Sequence, residues 1–172
     1  MQPVPDRSAA EEDGFTVSIL VAVDPGRAFA AFTGQIDLWW LRGPKHRFRA
    51  PYHDGMLRFE PGAGGALTEH YPDGTAFTVG RILDWRPGEL LRLTWRLPSF
   101  TADQHTEVCV RFVSEGNQTR VSVEHRGFAS LPSDHPARHG RLGRELAAVK
   151  GRLWAELLTA LRDHVNQRGS KP

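Results

Sequence analysis

The sequence predicts an α+β fold in which a curved antiparallel sheet of six to seven strands wraps around one long C-terminal helix. Three patterns carry that expectation. Between Met56 and Phe128, β-like runs alternate with short turn clusters: "MLRFE" ends in "PGAGG", "ALTEHY" in "PDG", "LLRLTWRL" in "PS" and "TEVCVRFV" in "SEGN". Consecutive strands joined by short turns give an antiparallel meander. From Leu142 onward, apolar residues recur every three or four positions, the period of a helix with one buried face. Near the start, "FTVSILVAV" alternates with period two, which reads as a strand with one buried side.

Taken in order, residues 1–13 are polar and hold two prolines, so they read as a loose tail. Phe15, Val17, Ile19, Val21 and Val23 then form the buried face of the first strand. In "DPGRAFAAFT", Asp24 suits a helix N-cap and Pro25 the first helical position. Phe29 and Phe32 stand three apart and share a face. Gly34 interrupts, and "QIDLWW" reads as a second short helical turn. The stretch from Lys45 to Tyr52 is expected to add a short, irregular strand before the meander. The closing helix places Leu146, Val149, Leu153, Leu157 and Leu161 on one stripe with Leu142, widened by Trp154, Leu158 and Val165. At 1.5 Å per residue, a helix of about 25 residues is about 38 Å long. Residues 14–168 therefore read as a single domain, followed by a flexible end at 169–172.

Composition narrows the function. The 172 residues carry a formal net charge of only +2, and the arginines are spread along the chain. Nucleic-acid recognition needs a clustered basic face, so no nucleic-acid partner is expected. The one cysteine, Cys109, excludes an internal disulfide and a cysteine-rich zinc site. The first residues lack the apolar core of a signal peptide, and "VSILVAV" is far too short to span a membrane. A cytoplasmic protein without membrane insertion is expected, and homodimerisation is compatible with it.

The order of elements has a geometric consequence. A long antiparallel sheet twists and curls, and a single helix, about 10 Å across, leaves space on its concave side. Leu91, Leu93, Trp95 and Leu97 share a strand face, as do Val108, Val110 and Phe112, and Val121, Val123 and His125. With Trp154 from the helix, these side chains suit either a solid core or the wall of a ligand cavity.

The ordered series "VDPGRAFAAFT" with "WW", then "FEPGAGG", "VGRILDWRPGELLRLTW", "TRVSVEHRGF" and "WAELLTAL" resembles the START-like, helix-grip superfamily also called SRPBCC. Within it, the series is most similar to AHSA-type proteins, labelled as homologues of the heat-shock ATPase activator. The paired tryptophans and the "FEPGAGG" turn are also similar to the calicheamicin-resistance-like branch. The resemblance implies a curved sheet gripping the last helix, with an apolar cavity between them. It also implies binding of a lipid, polyketide, aromatic metabolite or hormone, which some family members cyclise or hydrolyse. The heat-shock label records kinship rather than chaperone work. Where the family often has Gly before its helix Trp, this chain has Leu153 before Trp154, with Gly151 close by.

The residues expected to line a ligand site are Trp39, Trp40, His70, Leu93, Trp95, Val110, Phe112, Val123, His125, Lys150, Trp154 and Leu158. Neighbouring residues point in different directions, so Trp39 and Trp40 cannot share one core position. One is expected to join the packing of the short helices and the other to close the cavity mouth, although packing alone accounts for both. His125 lies on the inward alternation of Val121 and Val123 and is the one catalytic candidate, as a base; a hydrogen-bonded core histidine is the simpler reading. His70 ends its strand, and Glu69 beside it points to the opposite face, so the two are not an acid–base pair. Lys150 falls inside the leucine stripe, where an ammonium must snorkel out or meet an acidic or carbonyl group of a ligand.

Metal binding is not expected. His135 and His139 are four apart, but Pro136 argues against a helix carrying both. "PGAGG" lacks phosphate-loop spacing, and there is no nucleophile elbow. The function expected is therefore non-catalytic binding of a small hydrophobic or aromatic molecule, with no cofactor. The alternatives are a cyclase- or hydrolase-type enzyme using His125 or His70 as base, and a chaperone or regulatory interaction module using the outer sheet face.

Overall fold

Strict alternation builds the sheet of the computed structural model, which describes residues 13–49, 55–138 and 143–169, without the side chains of 168 and 169. Strand β1 (Gly14–Val21) leads into α1 (Pro25–Gly34) and the single turn α2 (Ile36–Trp39). The meander follows as β2 (Met56–Phe59), β3 (Ala66–His70), β4 (Ala76–Arg86), β5 (Leu90–Trp95), β6 (Thr106–Glu115) and β7 (Gln118–Arg126), and α3 (Gly143–Gly169) closes the chain. The seven strands run antiparallel in the order β1-β7-β6-β5-β4-β3-β2. This is the helix-grip architecture expected from the pattern. The N-terminal tail at 1–12, Tyr52, His139, Leu142 and residues 170–172 lie outside the described residues.

Register decides what the concave face presents. Leu93 pairs with Val108, Val108 with His125, and His125 with Phe15, so four strands contribute to one row. The next row is Leu91, Val110, Val123 and Val17. Register shifts at Ile82/Asp84 and Leu67/Thr68 bend the sheet at β3 and β4, as bulges do. Gly80 on β4 is required there, because a Cβ would overlap the Thr94 carbonyl oxygen.

Helix α1 begins as its sequence dictates. Asp24 Oδ1 accepts from the Arg27 amide at 3.0 Å, and Pro25 takes the first helical position. Its buried face sets Phe29 against Trp85 and Phe112, and Phe32 against Phe112 and Trp39. Helix α3 lies chiefly along β1, burying Leu146, Trp154, Leu157, Leu158, Leu161 and Val165.

Two expectations are corrected here. The segment from Lys45 to Arg49 is a run of turns and bends rather than a strand. The His46 and Arg47 amides both donate to the Gly43 carbonyl, and the Arg47 side chain folds back onto the Trp40 and Leu41 carbonyls. The chain is bonded to itself and has no ladder to offer a neighbour. The second correction concerns the gap between sheet and helix. Rings from Trp40, Phe48, Trp95, His125, Phe128 and Trp154 fill most of it, all of them buried. What remains open is a small cavity at one end.

Candidate functional site

That cavity, about 90 Å³, is lined by Trp40, Phe48, Trp95, Phe128 and Trp154 together with Thr106, His125, Lys150 and Leu157. It reaches the surface where the lining passes to exposed Lys45 and half-buried His46, Leu97, Lys150 and Leu153. Its rings meet edge to face or tilted, apart from the stacked Trp40–Phe48 pair. Trp40 lies 5.6 Å from Trp154 at 87°, and Phe48 lies 5.6 Å from Trp95 at 62°. Tilted and edge-on contacts of this kind add about 0.5–1.5 kcal/mol each beyond burial.

The paired tryptophans take different positions because α2 is only one turn long. Trp39 is its last residue, while Trp40 is already extended (φ −65°, ψ 126°). Trp39 turns into the core beside Phe32 and donates its indole N–H to the Ala31 carbonyl at 3.0 Å. Trp40 lies against Trp39, ring centroids 5.4 Å apart at 53°, but forms part of the cavity wall and donates to the His46 carbonyl at 2.9 Å. Both rings are buried, at 3% and 4% exposure, so neither is left in solvent.

Residues 41–49 form a strap over this end, held in two ways. Its root is Arg47, whose guanidinium is buried and bonded to Asp37 Oδ1 (3.0 Å) and the carbonyls of Trp40, Leu41 and Gly55. Glu69, fully buried on β3, lies 3.7 Å from the same guanidinium and accepts from the Tyr71 hydroxyl at 2.7 Å. Burial works against ionisation of Asp37, but the Leu57 amide and the Arg47 and Arg42 charges outweigh it and hold its pKa below the usual carboxylate range. Burial, and then the bond to Glu69, push the Tyr71 phenol up. The tip of the strap is tied differently. Lys45 Nζ donates to both Glu156 oxygens (2.8 and 2.9 Å), and His46 Nε2 meets Oε2 at 3.0 Å. Lys45 is more than half exposed and Glu156 about a third, so water reaches this latch.

His125 is saturated. Trp154 Nε1–H donates to its Nδ1 at 3.2 Å, which leaves the proton on Nε2. Nε2 lies 2.7 Å from the Thr106 hydroxyl, which in turn donates to the Trp95 carbonyl at 3.1 Å. Burial, then the nearby Lys150 charge, pushes its pKa down to about 3. The imidazole is neutral and holds no lone pair for a substrate proton. The catalytic candidate of the sequence is, by geometry, a core histidine with both nitrogens in use.

The comparisons with known proteins agree with the fold. The family described as activator of Hsp90 ATPase homolog 1-like protein matches residues 22–164. The chain belongs to that family. No curated protein sequence matches it. Among solved structures, it is similar to CalC, a self-sacrificing resistance protein from Micromonospora echinospora: 26% identity, 94% of this chain and 99% of that one, TM-score 0.61. It shares its fold with the Aha1 dimer from Colwellia psychrerythraea (15% identity, 89% and 96% covered, TM-score 0.57). It also shares it with an HSP90 activator from Plasmodium falciparum (17% identity, 81% and 87% covered, TM-score 0.52).

In this member of the Hsp90-activator-like family, five of the expected residues meet at the cavity: Trp40, Trp95, His125, Lys150 and Trp154. Leu93, Val110, Phe112, Val123 and Leu158 are core residues that do not line it, and Trp39 lies in the layer behind. His70 is exposed on β3 and borders a separate surface groove with Leu38, Met56 and Arg58. Sequence reasoning missed Lys45, His46, Phe48, Phe100, Thr106, Phe128 and Ala137. Thr106 carried a usable signal, since it shares the alternation of Val108, Val110 and Phe112; the others sit on loops or short turns, where no period exists. Cys109 is buried, and burial pushes its thiol up, away from nucleophilic use. No group of three or more metal-ligating side chains occurs among the described residues. No helix among them is long and apolar enough to cross a membrane.

Proposed function

We propose that this protein binds a small, flat, apolar molecule in the cavity beneath the strap, without carrying out chemistry on it. One observation carries the reading: the apolar cavity reaches the surface beside the Lys45/His46–Glu156 latch, where Lys45 is more than half exposed. Ligand pockets usually enclose about 300–1,000 Å³, and a cavity of about 150 Å³ accepts benzene. The closed form, at about 90 Å³, is too small for either without movement. The strap tip at residues 44–46 is the part to move, because the ionic root fixes Arg47 while the latch exchanges with water. The saturation of His125 supports the non-catalytic side of the reading. The likeness to CalC, a resistance protein, is compatible with a small-molecule ligand.

The test is a titration of benzyl alcohol against intrinsic tryptophan fluorescence, repeated with Leu153→Phe, which fills the mouth. Saturable quenching in the wild type, lost in the variant, is the expected result. Quenching that rises linearly and equally in both would sink the reading.

A second reading rests on a different surface. Leu38 and Met56 are 63% and 60% exposed and border the groove that also touches His70. A chaperone or regulatory partner seated there, in line with the family's name, would bind Leu153→Phe as well as wild type and would lose affinity on Leu38→Ser.

A further inference from the structure

The cavity's polar atoms can be sorted by whether they already have partners, and the sorting points to the chemistry of its occupant. His125 accepts from Trp154 and is bonded to Thr106, and the Thr106 hydroxyl donates to Trp95. The Trp40 indole donates to His46, while Lys45 and the His46 ring are held by Glu156. Lys150 differs from all of these. Its ammonium has no hydrogen-bond or ion-pair partner among the described residues, yet it lines the cavity from α3, half-buried, between the apolar side chains of Leu146, Leu153 and Leu157. Burial lowers its pKa, which fits an ammonium without a counter-charge.

Packing does not account for this placement. The neighbouring stripe positions are leucine, and a leucine or methionine at 150 would line the wall without the cost of an uncompensated charge. The side chain is half-buried at the cavity mouth, where an occupant and bulk water can both reach it. An occupant with a polar group would find every other lining group engaged and one cation with three donors waiting. We propose that Lys150 anchors the carboxylate of a single-ring aromatic acid, whose ring lies among Trp95, Phe128 and Trp154. The inference rests on the cavity being a ligand site and adds the class of ligand. A carboxylate is favoured over a neutral hydroxyl or carbonyl because hydrogen bonds between ionised partners are about twice as strong as neutral ones. The anion would also supply the counter-charge that keeps Lys150 protonated.

The experiment is calorimetric titration at pH 7 with two probes of similar size, benzoate and benzyl alcohol, on wild type and Lys150→Met. The wild type is expected to bind benzoate at least about tenfold more tightly than benzyl alcohol, the value of one charged hydrogen bond. In Lys150→Met, benzoate should lose that advantage while benzyl alcohol binds as before. Equal wild-type affinity for the two probes would overturn the anchor and leave the cavity standing. A benzoate preference that survives in Lys150→Met would overturn it as well. Failure of both probes to bind the wild type would overturn the cavity reading itself, and this inference with it.

Discussion

The root and the tip of the strap do opposite work with opposite chemistry. At the root, every guanidinium nitrogen of Arg47 is bonded, the group is shut off from water, and its carboxylate partners come from α2 and β3. One and two residues away, His46 and Lys45 at the tip are tied to Glu156 by an ion pair that water reaches. Removing one partner from a buried charge cluster costs about 3–5 kcal/mol, whereas an exposed ion pair contributes about 0–1 kcal/mol. The same nine residues therefore hold a fixed point and a releasable one. That is how a cavity can open locally in a fold whose core is otherwise filled.

The largest effect should come from the root. Arg47→Met leaves Asp37 and Glu69 without their buried counter-charge, and urea denaturation should register a loss of about 3–5 kcal/mol. A loss under 1 kcal/mol would mean that the root is no more fixed than the tip.

Next is the His125 relay, which ties β7, β6 and α3 together behind the cavity. His125→Phe strands the Trp154 N–H and removes the bond that the Thr106 hydroxyl accepts, costing about 1–3 kcal/mol near pH 8. The pH dependence has a definite sign. In the fold the pKa of His125 is pushed down to about 3, against 6.5 ordinarily. As pH falls below 6.5 the unfolded chain takes up a proton first, so the wild type loses up to about 1.4 kcal/mol per pH unit from this group until about pH 3. Phenylalanine does not titrate, so the variant's deficit should shrink between pH 8 and pH 4.5. A constant deficit would show that the imidazole is not held neutral.

Gly151, on α3 three residues before Trp154, gives a gain instead of a loss. A Cβ there would meet Val17 Cγ2 at 3.6 Å and Phe15 Cδ2 at 3.8 Å, ordinary contact distances. Gly151→Ala should therefore stabilise by up to about 1 kcal/mol, the helical preference of alanine. The idea that Gly151 permits a close approach fails if the thermal midpoint rises.

Smallest in stability is the latch itself. Glu156→Gln should change unfolding free energy by no more than about 1 kcal/mol. It should nonetheless raise amide exchange at His46 while leaving exchange at Leu57, tied to the Asp37 root, unchanged. Uniform acceleration at both sites would erase the distinction between tip and root.

The same contrast explains what the sequence made legible. Strands β5 to β7 and helix α3 announce their buried faces by period, so the cavity's regular walls could be read from Trp95, His125 and Trp154. The ionic root could not. Arg47 lies in a segment without regular structure, Asp37 is ten residues back across a bend and Glu69 is on another strand, so pairing depends on a tertiary approach that no local pattern encodes. Glu69 did carry one overlooked signal. In β3 it alternates with Leu67 and continues to Tyr71, which places a carboxylate on the buried face and demands a buried cation. The size of the cavity was misjudged for a related reason. Phe48 and Phe128 reach it from loops, and they plug space that the strands and helix alone would have left open.

The five tryptophans allow the cavity to be tested against the rest of the molecule in one experiment. Trp40, Trp95 and Trp154 line it; Trp39 backs the Trp40 ring, and Trp85 packs elsewhere, against Phe29. In a ¹H–¹⁵N spectrum of the indole N–H groups, titration with benzyl alcohol should shift the first three saturably and leave Trp85 in place. Five signals that stay still, or five that drift together without saturation, would contradict a ligand site beneath the strap.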